Sequence, residues 1–279
     1  MSERTETSVQ KVGSFPSYLA NMTKVDESLA HASQHRVVPR IACIQGLTPK
    51  EKRGGNPIGA AVLSPGMALF LNENESCLFT PLYLFTEFIQ YRDRNDKTGP
   101  MVVQKSFEET SLVARKSRDP EARKEGYGPP DSKGNPSLHY EYVETRQFIV
   151  AIRSGRMKGE VCALSFQKGE LFNGDALCSL LVQRKVEIDG KMRHVPAWMQ
   201  VYEMKCTTHK NRKGNEWFGF DINNPSEGNN PFIEEEECPL YEKQYDDLHE
   251  KFKVGLLSAD EGLGQETDPM EVDSNRHGM

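Results

Sequence analysis

Residues 195–222, VPAWMQVYEMKCTTHKNRKGNEWFGFDI, carry the pattern that most limits how this chain can fold. In the first arm Trp198, Gln200, Tyr202 and Met204 fall on one face, and Ala197, Met199, Val201 and Glu203 on the other, the period of two that a pleated strand imposes. The second arm, from Trp217 to Ile222, is rich in aromatic residues. Between them His209-Lys210-Asn211-Arg212-Lys213-Gly214-Asn215 supplies Asn and Gly for a turn. The stretch is predicted to be a β-hairpin with cations at its tip and rings on its flanks. Single-stranded nucleic acid needs both: cations for the phosphate backbone, and ring faces on which bases of any sequence can stack. The competing expectation is that the rings are core and the charges merely solvated.

Charge distribution adds a second constraint. The net charge of −6 hides an asymmetry: from Asn223 onward there are 15 acidic residues against four basic, leaving 31 basic and 26 acidic in the rest. A mildly basic body suits phosphate, while an acidic tail repels it and stays free for basic partners. No run approaches the roughly 18 apolar residues of a membrane span, and MSERTETSVQKVG has no apolar stretch of the signal-peptide kind. A protein of the cytoplasm with no membrane partner is expected. Cys43, Cys77, Cys162, Cys178, Cys206 and Cys238 form no CxxC pair, so reduced, mostly buried thiols are expected and no metal or other cofactor.

In chain order, residues 1–36 read as a polar arm with a helix over 17–35, where Leu19, Met22, Val25, Leu29 and Ala32 recur at spacings of three and four. A β-rich run ending in a turn is predicted at 37–49, and strands at 67–71, 77–85, 139–152 and 161–166. The Arg-, Lys-, Gly- and Pro-rich segment 117–136 reads as a long exposed loop. Leu171, Phe172, Leu177, Leu180 and Leu181 mark a helix before the hairpin. Residues 223–257 read as an irregular bridge and a last amphipathic helix, and 258–279 as a disordered acidic tail. Short strands, one long loop and a helix set between strands predict a mainly β chain with added helices (α+β), its core over 37–222 an OB-fold-like barrel.

The blocks VPRIACIQGLTP, GMALFLNENESCLFTPLYLFTEFIQYRDRN, GEVCALSFQKGELFNGDALCSLLVQR and VPAWMQVYEMKCTTHKNRKGNEWFGFDI together resemble a family of bacteriophage single-stranded DNA-binding proteins. The resemblance covers most of residues 37–222 and rests on spaced apolar and aromatic positions. It implies an OB-fold-like barrel, a role in phage replication or recombination in the host cytoplasm, and DNA contact through Trp198, Tyr202, Lys205, Lys210, Arg212, Lys213, Trp217 and Phe218. Homo-oligomerisation is compatible with it.

Two further readings compete with this non-enzymatic one. Glu266, Asp268, Glu271 and Asp273 in the tail suit a basic patch on a phage or host replication, recombination or transcription protein, which would make the chain an interaction factor. Glu203-Met204-Lys205 has the E-x-K spacing of Mg²⁺-dependent nucleases, with Asp175 or Asp189 as the upstream acid. Gly54-Gly55-Asn56-Pro57 precedes no GK[ST], so nucleotide hydrolysis has no support.

Overall fold

The structure is a computed structural model that describes residues 38–253 except 49, 65, 93–99, 126–139 and 212–213. The expected N-terminal helix, most of the exposed loop, Arg212, Lys213 and the acidic tail lie outside the described residues. The strands in order are β1 (Arg40–Cys43), β2 (Ala61–Ser64), β3 (Ala68–Leu71), β4 (Ser76–Arg92), β5 (Val102–Ser106), β6 (Lys124–Glu125), β7 (Tyr140–Ile152), β8 (Val161–Gln167), β9 (Lys185–Ile188), β10 (Lys191–His194), β11 (Tyr202–Lys210) and β12 (Glu216–Asn223). Among the described residues three α-helices are interleaved with them: α1 (Leu112–Arg118), α2 (Leu171–Gln183) and α3 (Cys238–Lys253).

Ten strands form one sheet with the path β12-β11-β4-β7-β8-β1-β2-β3, β5 joining β4 and β6 joining β7. The 17-residue β4 is its spine. It pairs with β7 along one edge, and with β11 near its start and β5 near its end along the other. Pro81 sits at a register shift in the β4–β7 ladder, where a residue without an N–H is tolerated. The sheet curls into a half-barrel, so the expected mainly β, barrel-like architecture with added helices is what the chain adopts.

Period-two alternation decides what each face buries. On β7, Phe148, Val150 and Ile152 join Phe79, Leu164, Phe166 and Tyr202 in the main core, which Leu177 and Leu181 of α2 complete. The intervening Ile149 and Ala151 lie under α3, against Tyr241 and Leu248. A central strand covered on both faces needs apolar residues at both parities, and β7 has them. Four of the six cysteines, Cys43, Cys77, Cys162 and Cys206, are buried and none of the six is in a disulfide; burial pushes the Cys77 thiol up to about 12.

Several local expectations are corrected. The segment around Trp198 is a 3₁₀ turn, Ala197–Met199, that begins after Pro196. Its alternation belongs to a turn whose Gln200 is buried to hydrogen-bond Val195 O at 2.7 Å and Leu181 O at 3.2 Å. Residues 117–118, read as loop, close α1, which Ser111 caps by accepting from Ala114 N at 3.1 Å. The strand expected at 77–85 runs on to Arg92 as β4.

Candidate nucleic-acid interface

β1 pairs with β8 only at Arg40–Ala163 and Ile41–Leu164, and β12 stands at the open end of the sheet. Between these elements lies a groove of about 590 Å³. Its walls are Arg40 to Cys43 and Gln45 on one side, residues 165–170 with Phe172 on another, and Asn211 with residues 217–220 on the third.

Side chains hold the walls together where no strand pairing does. Gln45 Nε2 donates to Phe218 O at 2.8 Å, and Phe218 N donates to Gln45 Oε1 at 3.0 Å. Its amide thus takes the place of a neighbouring strand on the β12 edge. Glu170 does the same one step along. Its carboxylate accepts from Trp217 Nε1, from Asn173 Nδ2 at 2.9 Å and from Phe220 N at 3.4 Å. It fits because residue 219 is Gly: a Cβ there would stand 2.5 Å from the carboxylate.

The rings divide by accessibility. Trp217 is half-buried, stacked on His209 with centroids 5.7 Å apart, and Gly169 lies against its six-membered ring. It forms groove wall and offers little open face. Phe172 is 55% exposed at the start of α2, its ring edge-on to His209, and is the most accessible ring in the groove. Phe218 is half-buried with its ring over Gly59, where a Cβ would meet it at 2.7 Å. Tyr202 is fully buried beneath the Arg184 guanidinium, its hydroxyl donating to Gln200. It is core, and its predicted place among base contacts is corrected. Trp198 is also removed from the groove, half-buried in the cluster under α3.

Two cations line the groove and two more are exposed on the β11 arm of the hairpin. Arg40 and Lys168 line it, and Lys168 Nζ is 3.0 Å from Glu141 at the surface. Lys210 is exposed at the end of β11, 3.0 Å from Glu216, and Lys205 is exposed opposite Asp221 in the hairpin register. Exposed pairs of this kind contribute about 0–1 kcal/mol, so a phosphate can replace the carboxylate at little cost.

A model of the family described as Pam3 phage gp34-like protein matches residues 18–253. The chain belongs to the Pam3 phage gp34-like family. The match takes in every described strand and helix, and ends before the acidic tail. A phage affiliation, expected from the sequence blocks, is shown at that level. No curated protein and no solved structure matches the chain.

In this member of the gp34-like family each carboxylate of the E-x-K reading has surroundings of its own. Glu203 accepts from Ser76 Oγ at 2.5 Å and from Ser226 N and Oγ, and these hydrogen bonds hold its carboxyl below the usual carboxylate range. Asp175 pairs with Arg146 at 3.0 Å, and Asp189 lies in the β9–β10 turn. Among the described residues no group of three or more His, Cys, Asp or Glu could hold a metal ion. No helix among them is long and apolar enough to cross a membrane.

Of the residues expected in DNA contact, Trp217 and Phe218 line the groove and Lys210 precedes its lining residue Asn211; Gln45, Glu170, Phe172, Lys168 and Arg40, which also line it, were not among them. Phe172 was read only as one member of a helix stripe. Its position as the second residue of α2, before the buried turn, was the available signal.

Proposed function

We propose that this gp34-like protein binds single-stranded DNA with little sequence preference and protects it during phage replication or recombination. The observation that carries the reading is the groove: Phe172 is exposed in it, Trp217 and Phe218 wall it, and Arg40, Lys168 and Lys210 stand in or beside it. A flexible strand can lay its bases against such rings while its phosphates meet the cations, and neither contact reads base identity. The loop between β1 and β2 adds further cations, with one acid, Glu51, among them. It carries Lys50, Lys52 and Arg53, is headed by Gln45, and is braced by Arg53 Nε donating to Thr48 O at 2.8 Å. The sequence of the β11–β12 turn adds Arg212 and Lys213.

A gel shift of labelled oligonucleotides with and without Mg²⁺ tests this. The expected result is a shifted, intact single strand in both conditions. Absence of a shift overturns it in favour of an interaction factor acting through the acidic tail, and cleavage overturns it in favour of a nuclease.

A further inference from the structure

β9 and β10 form a sheet of their own, apart from the half-barrel. Asp189 and Gly190 join them at φ of 53° and 72°, the left-handed pair that a two-residue hairpin turn requires. Every residue of both strands is exposed except Val186, which is half-buried. An isolated two-stranded hairpin is marginally stable in water. This one is fastened at its base, where His194 Nδ1 lies 2.9 Å from Val182 O and Val195 N donates to Arg184 O at 3.2 Å. Arg184 itself bonds Pro231 O at 2.8 Å and lies over the Tyr202 ring.

The register sets what the ribbon presents. Val186 is opposite Arg193 and Ile188 opposite Lys191, so one face holds two cations and two β-branched side chains and no carboxylate. Glu187 is opposite Met192 on the other face. Neither Lys191 nor Arg193 has an ion-pair partner among the described residues, unlike Lys168 and Lys210 beside the groove. The ribbon is tied to the groove by one rigid element. α2 carries Phe172 in the groove wall at its second position and ends at Gln183, and its 13 residues span about 20 Å.

Resting on the single-strand reading above, we propose that the 185–194 ribbon is a second, remote contact for the same strand, with Lys191 and Arg193 taking phosphates about one helix length from the Phe172 groove. A short oligonucleotide fills the groove alone, whereas a longer one reaches the ribbon.

The test measures binding of labelled oligothymidylates of about 5 and about 20 nucleotides, at several salt concentrations, to the full chain and to its K191A/R193A and F172A variants. Thermal unfolding of each checks that the fold is kept. The expected result is that K191A/R193A weakens the long strand several-fold and lowers its log–log salt slope by about 1.4, the value for two phosphate contacts on a single strand. F172A is expected to weaken both lengths. The ribbon proposal is overturned if K191A/R193A keeps the parent's slope and affinity on the long strand, or weakens both lengths alike. The groove reading falls separately if F172A matches the parent on the short strand, and both fall if the parent binds neither.

Discussion

Gln45 and Phe218 are joined amide to amide, the side chain of one donating to and accepting from the backbone of the other at 2.8 and 3.0 Å. This clasp fastens the β12 edge of the half-barrel to the chain leaving β1, and the groove opens between them. Replacing Gln45 with Leu strands a partly buried N–H and C=O, which costs about 1–3 kcal/mol. The expected outcome is a lower denaturation midpoint with an unchanged denaturant slope, together with weaker oligonucleotide binding. A midpoint equal to the parent's would remove the clasp from the account.

Gly219 and Glu170 make the second fastening. A Gly219→Ala methyl would occupy the space of the Glu170 carboxylate, which would have to release Trp217 Nε1. Trp217 fluorescence is expected to shift to longer wavelength in the unbound variant as the indole loses its packing. Glu170→Gln, which keeps the shape and one acceptor, should shift it far less. Equal spectra for Gly219→Ala and the parent would show that the carboxylate has room elsewhere.

The pH dependence of stability should trace in part to Glu144. Burial by itself would push its carboxyl up, but Arg118 at 3.0 Å and Arg146 hold it below the ordinary value of 4.5. A carboxyl lowered in the folded state adds stability that is present above its unfolded value and is lost as pH falls through the folded one. Glu144→Gln should therefore cost about 1–3 kcal/mol at neutral pH, with the difference from the parent shrinking as pH falls below 4.5. A difference that stays constant down to acid pH would assign the loss to packing alone.

The acidic tail is addressed by deleting the residues after Ser258. Glu266, Asp268, Glu271 and Asp273 lie among Gly, Pro, Thr and Ser, and such a segment contributes little to a core. The fold is expected to survive, and single-strand affinity to rise, most at low salt where screening is weak. Unchanged affinity with loss of a basic partner in a pull-down from infected-cell lysate would assign the tail to recruitment instead.

The fold was legible in sequence wherever pairing is local or alternation is clean. β7, β8, α2 and the β11–β12 hairpin follow from period and turn residues. The β9–β10 ribbon carries a signal of its own in Asp189-Gly190 and in the alternation Lys185-Val186-Glu187-Ile188, but it pairs with no strand of the half-barrel, so no longer pattern announces it. Trp198 misled because alternation runs on past Pro196 into a turn. The site was less legible. Glu170 and Gln45 act by bonding backbone of β12, contacts 50 and 173 residues away in sequence that no local pattern encodes. Tyr202 has the residue type of a base contact, and only the register that turns it inward shows that it is core.

The central claim is that a single strand lies in the groove between β1, β8 and β12. Ultraviolet cross-linking of the full chain to oligothymidylate, with the attached peptides mapped by mass spectrometry, tests it most directly. Cross-links are expected on Phe172, Trp217 or Phe218, and they should be lost when unlabelled single strand competes. Cross-links confined to other peptides, or none from a protein that shifts the same oligonucleotide in a gel, would contradict it.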